Sequence, residues 1–143
     1  MFLLISLLLL ISNVESRTDK FTFNLKITCR HTQRPTFWYQ LELLENDTLS
    51  PRDAVQRILS ETIPTGTKQI KVFGYQDGDE YLSDGYRLSA VFKHDCTYNG
   101  NQVEVNYTFK KLCKIEHDCQ IDFVADLTDQ YGYIETNARI QSF

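Results

Sequence analysis

Phe21-Thr22-Phe23-Asn24-Leu25-Lys26-Ile27-Thr28-Cys29 places an apolar side chain at every second position and a polar one between each pair. That period of two is the signature of a half-buried β-strand, whose successive side chains point to opposite faces. The same phase recurs along the chain. Phe37, Tyr39, Leu41 and Leu43 alternate with Trp38, Gln40 and Glu42, and Ile70, Val72 and Gly74 alternate with Lys71 and Phe73. Tyr86 to Phe92, Val103 to Phe109, Ile121 to Leu127 and Ile134 to Ile140 repeat it. Turn-forming residues separate the runs, most densely in QDGDEYLSDG after Tyr75. The expectation is an all-β chain of about seven strands, folded as a two-sheet antiparallel β-sandwich in which each strand buries one face.

One segment departs from the period. Ser50-Pro51-Arg52-Asp53-Ala54-Val55-Gln56-Arg57-Ile58-Leu59 has a capping residue, proline at the first helical position and apolar residues at 55, 58 and 59. Taken alone it is a short helix near residues 51–60; among strands it is equally an irregular or edge strand.

Residues 1–16, MFLLISLLLLISNVES, carry an apolar run from Phe2 to Ile11 and small residues before a cleavage point after Ser16. The run is shorter than the roughly 20 residues a helix needs to span a bilayer, so a signal peptide is expected, followed by a single domain over 17–143. No stable membrane insertion is expected. The mature chain then has fifteen basic residues against eighteen acidic, because the leader removes only Glu15. Its basic residues are scattered, with Lys110, Lys111 and Lys114 the only close cluster, which disfavours a nucleic-acid partner.

An exported chain with an even cysteine count points to disulfides. Cys29, Cys96, Cys113 and Cys119 each continue the inward phase of a neighbouring strand. If every strand reverses the last, Cys29 and Cys96 share one pole of the sandwich and Cys113 and Cys119 the other. That favours pairing them so, although four cysteines allow three connectivities and the segment near residue 55 affects the count of reversals. A zinc site at Cys113, His117 and Cys119 is the competing reading, against which the spacing argues. Two N-glycosylation sequons begin at Asn46 and Asn106, both at positions that the alternation makes exposed.

No GxSxG turn, HExxH pair or Gly-rich phosphate loop occurs in the chain. His31, His94 and His117 fall in loops or at a strand end, without the neighbours that catalysis requires, so no enzymatic activity and no cofactor is expected. Asp77, Asp79, Glu80 and Asp84 form an acidic loop without EF-hand spacing. Most aromatics fall on inward phases and belong to the core. Trp38, Phe73, Tyr98, Tyr131 and Tyr133 lie outside that set and form the candidate recognition surface.

LKITC closing the first strand, LELLENDTLSPRDAV and GYRLSAVFKHDC together resemble the nematode transthyretin-like family of secreted proteins. The likeness spans residues 21 to about 127, with Gly85-Tyr86 where that family has Pro-Tyr. The resemblance implies a transthyretin-like sandwich. The hydrolase branch of that fold ends in Tyr-Arg-Gly-Ser, which the terminal Asn137–Phe143 segment lacks. The expected function is therefore a secreted, non-enzymatic extracellular binding protein contacting a protein or cell-surface ligand; the alternative is a carrier of a small apolar ligand.

Overall fold

The structure, a computed structural model, describes residues 18–46, 53–77 and 85–143. The leader, Asp47 and Thr48 of the first sequon, the Ser50-Pro51 helix start and the loop acids Asp79, Glu80 and Asp84 lie outside the described residues. Ten strands follow in order: β1 (Thr18–Cys29), β2 (Thr36–Asn46), β3 (Asp53–Ala54), β4 (Leu59–Pro64), β5 (Gly66–Asp77), β6 (Arg87–His94), β7 (Val103–Phe109), β8 (Cys119–Asp126), β9 (Gly132–Thr136) and β10 (Arg139–Ser142). One sheet has the order β10-β8-β1-β5; the other has β3-β2-β6-β7-β9, with β4 also on the edge of β2. The two-sheet sandwich is thus as the alternation implies.

Three strands beyond the expected seven arise at two places. Residues 53–64 run beside β2 as β3 and β4, so the candidate helix is an interrupted edge strand over its described part. Its apolar residues do not share a face: Val55 is buried in the core, whereas Ile58 is 54% exposed. Backbone pairing decides the matter. Val55 N–H donates to the Leu43 carbonyl of β2 at 3.0 Å, and its own carbonyl accepts from Tyr75 N–H of β5 at 2.9 Å, so this residue stitches the two sheets together along one side. Gly74 permits the approach, since a Cβ there would lie 2.9 Å from the Val55 carbonyl oxygen.

The second place is the run from Ile134 to Ile140, which keeps one inward phase but changes sheets. Its first half is β9 beside β7, and after Asn137-Ala138 the second half is β10 beside β8. Two pairings, β1 with β8 and β7 with β9, run parallel, while the other ladders are antiparallel. A strand that arrives from the opposite sheet has no hairpin to force reversal against its new neighbour, so its pairing runs either way: parallel for β8 and β9, antiparallel for β5, β6 and β10.

Phe21, Phe23, Leu25 and Ile27 face inward from β1 and are at most 2% exposed. An aromatic chain runs Tyr39, Phe92, Tyr107, Phe123 and Phe109, with successive ring centroids 5.0 to 6.1 Å apart; Phe123 comes from β8 beside β1 and the other four from the facing sheet. Burying each such ring contributes roughly 1.5–3 kcal/mol. These side chains fill the space between the sheets. Tyr39 reaches the open side with its hydroxyl, which donates to Glu61, and Glu61 also meets Lys68 of β5 at 3.4 Å. Burial, with the Glu61 bond added, pushes the Tyr39 phenol far up; the same bond holds the Glu61 carboxyl below its usual range.

Both disulfides sit at the poles. Cys29 is joined to Cys96 and Cys113 to Cys119, the pairing that strand direction favours, and no cysteine is free for a metal.

Candidate functional site

β1, β6 and β8 all end at one pole, and the segments that follow them, residues 30–35, 95–102 and 127–131, lie together there. The Cys29–Cys96 disulfide fastens the first two at their roots. Asp129 fastens the third. Its backbone N–H donates to the Cys96 carbonyl at 2.9 Å, and its carboxylate accepts from Tyr98 N–H at 2.7 Å and contacts His31 Nε2 at 3.0 Å. Asp129 has a φ of 56°, in the left-handed region that aspartate tolerates better than most residues. The His31 contact holds its carboxyl below the usual range. Arg34 donates through Nη2 to the carbonyls of Asp95 and Thr97 at 2.8 and 2.9 Å, and Arg30 pairs with Asp126 at 2.6 Å.

His94 lies beneath this platform and is fully buried. Its Nδ1 accepts from Cys96 N–H at 3.1 Å, which leaves the proton on Nε2 to be donated to the Gln130 carbonyl at 2.8 Å. Burial lowers its pKa, so the ring is neutral and serves as a two-sided tether between the loops.

On this braced base two side chains stand clear: Tyr98 is 84% exposed and Tyr131 74%. Tyr98 meets the His31 ring edge-on at 6.5 Å. Rigid tyrosines on short, tied loops present contact area at little entropic cost, which suits recognition. Both His31 nitrogens have partners, Asp129 on Nε2 and the Gln33 amide 3.4 Å from Nδ1. Among the described residues no group of three or more His, Cys, Asp or Glu side chains is placed to hold a metal ion.

The other expected recognition residues are elsewhere. Trp38 is half-buried on the outer face of the larger sheet, where its indole donates to Ser60 Oγ at 2.9 Å. Phe73 is on the outer face of the smaller sheet under the Lys20 ammonium, 4.6 Å from the ring centroid. Tyr133, exposed, stands on β9 beside Asn106. The five aromatics therefore divide among three surfaces, and only Tyr98 and Tyr131 share the pole. Tyr75 and Val124, 54% and 62% exposed, join Phe73 on the smaller sheet's outer face; both continue an outward phase, so alternation alone marks them.

Asn106 is a correction. It occupies an outward position, yet it is only 4% exposed, because Tyr133 and Val91 flank it on the neighbouring strands. Asn46 is half-buried, and its amide nitrogen donates to Ser89 Oγ at 2.9 Å. The Lys110, Lys111 and Lys114 cluster is at the opposite pole, where Lys111 Nζ donates to the Ile140 carbonyl.

Fold and surface define a doubly stapled β-sandwich that carries exposed aromatics on tied loops. Residues 24–136 match the model of a family described as Caenorhabditis elegans protein of unknown function (DUF870), and the chain belongs to that family. No curated protein and no solved structure matches it.

Proposed function

We propose that this chain is an exported, non-enzymatic binding protein that engages an extracellular protein or cell-surface ligand through Tyr98 and Tyr131. The observation that carries this reading is the pairing of very exposed tyrosines with loops that disulfide, carboxylate and arginine bonds hold in place. Two disulfides support export, since such bonds persist in oxidising compartments. Kinship with the nematode transthyretin-like proteins belongs to the same proposal, resting on the likeness of LKITC, LELLENDTLSPRDAV and GYRLSAVFKHDC and on the two-sheet sandwich. The aromatic filling between the sheets leaves the carrier alternative without a supporting observation.

Affinity capture from extracellular extracts tests the reading. Material retained by the mature chain and lost with Tyr98→Ala/Tyr131→Ala supports it; an identical set retained by both sinks it. Of the two sequons, we assign the glycan to Asn46, because Asn106 is closed off by its neighbours. Chain from a eukaryotic secretory host should lose the mass of one N-glycan on enzymatic deglycosylation, and Asn46→Gln should abolish that change.

A further inference from the structure

The middle of the outer face of the four-stranded sheet carries an excess of cations, opposite in sign to the charge of the whole chain. Between Lys20 and Lys26 of β1, the register aligns Lys71, Phe73 and Tyr75 of β5 on one side, and Gln120, Asp122 and Val124 of β8 with Arg139 of β10 on the other. Those outward positions hold four cations, Lys20, Lys26, Lys71 and Arg139, against Asp122; two further carboxylates border them, Asp118, which accepts from Lys20 N–H at 3.4 Å, and Asp126, which pairs with Arg30. The chain as a whole is acidic, with net charge −4. Among the described residues no ion pair occupies Lys26, Lys71 or Arg139. Asp122 is engaged by amides, accepting from Asn24 Nδ2 at 2.8 Å and Gln120 Nε2 at 3.3 Å.

A groove of about 460 Å³ runs over this face, with Asn24 and Lys26 in its floor, Gln69 and Lys71 on one wall and Asp122 and Val124 on the other. It continues towards Phe73 and Tyr75, which are 44% and 54% exposed. The main-chain edge alongside is guarded: Lys68 points inward to Glu61 at the free side of β5, a device that discourages the addition of another strand. An extended peptide is therefore not the occupant that this face fits.

We propose that this groove binds an anionic extracellular polysaccharide, carboxylated or sulfated. Lys26 and Lys71 in the groove, with Lys20 and Arg139 beside it, supply point charges for acidic groups, the amides of Asn24 and Gln69 offer donors and acceptors to hydroxyls, and the exposed Tyr75 ring at one end offers flat apolar contact to a sugar ring. The site is independent of the tyrosine-bearing pole.

The test uses the mature secreted chain with immobilised heparin, neutral dextran and phosphatidylserine-containing vesicles as probes. Retention on heparin, absent on dextran and weakening as salt rises, is expected. Lys26→Glu/Lys71→Glu should lower heparin affinity by roughly tenfold or more, since each reversal replaces attraction with repulsion. Tyr75→Ala should lower it about threefold while leaving the salt dependence unchanged. These side chains are exposed, and unchanged thermal unfolding confirms that each variant is folded. Absence of retention, unaltered retention by the Lys26/Lys71 variant, an equal loss from Lys110→Glu/Lys114→Glu at the distant pole, or preferential binding to vesicles would each overturn the proposal.

Discussion

At one pole the disulfide joins cysteines 67 residues apart and ties one sheet to the other; at the opposite pole it joins cysteines six apart and closes a local turn. The rest of the bonding follows suit. Around Cys29–Cys96, three separate loops are fastened to one another through Asp129, Arg34 and His94, and the side chains left over point into solvent. Around Cys113–Cys119 the bonds draw inward. Tyr86 and Cys113 exchange backbone hydrogen bonds at 2.7 and 3.0 Å, and buried Asp19 accepts from Tyr86 Oη at 2.6 Å and from Glu116 N–H at 3.0 Å. Gly85 lies so close that a Cβ there would sit 2.5 Å from the Cys113 carbonyl oxygen, which accounts for glycine before Tyr86. One pole spends its bonds on rigid display, the other on closure. Long-range fastening is what allows exposed tyrosines to be held in fixed positions.

Breaking each staple in turn measures that difference. Replacing Cys29 and Cys96 together by serine should cost about 4 kcal/mol of unfolding free energy, because the denatured chain regains the freedom of a long closed loop. Replacing Cys113 and Cys119 should cost about 2 kcal/mol on the same argument. Denaturant unfolding of the two double variants checks both values, and a reversed order would show that the lower pole carries the fold.

Acid distinguishes the poles next. His94 has its folded-state pKa below the ordinary 6.5, chiefly through burial, so the unfolded chain binds the extra proton first. Stability from this group is complete above about pH 6.5 and falls as pH drops below that value towards the folded-state pKa. The melting temperature should therefore decline from pH 7 to pH 5, and His94→Gln should flatten that decline while lowering stability at pH 7. Amide exchange in residues 95–102 and 127–131 should rise before that around Cys113, since His94 tethers only the upper loops.

The smallest effect on stability is expected from the display itself. Tyr98→Ala and Tyr131→Ala should each change unfolding free energy by no more than about 0.5 kcal/mol, as exposed side chains do. A larger loss would mean that these rings brace the loops instead of standing free of them.

Much of the fold was legible because alternation is a local property. Phe21 to Cys29 lies on one inward face throughout, and the same holds for Phe37 to Leu43 and Ile121 to Leu127. The disulfide pairing follows from strand direction only once residues 53–64 count as strand, which their pairing with β2 decides. The segment near residue 55 was ambiguous because proline, a cap and apolar spacing suit a helix locally, and only the unpaired edge of β2 draws it out into strands. Asn106 departs from the exposed position that its phase implies for a related reason: alternation states which face a side chain occupies but not which neighbours cover that face. The aromatics outside the inward phases are legible one by one, while their separation into three surfaces depends on which sheet each strand joins.

Strand phases and inward residues are local properties of the chain, since each rests on a period of two; the poles at which the cysteines meet rest also on the count of reversals, which residues 53–64 complete only in the fold. Tertiary structure alone decided which sheet each strand joins, the parallel contacts of β1 with β8 and β7 with β9, the change of sheet between β9 and β10, and the gathering of Tyr98 and Tyr131 above Asp129. A strand can satisfy its inward face against either sheet. The choice rests on backbone pairing between segments far apart in the chain, which local sequence does not encode.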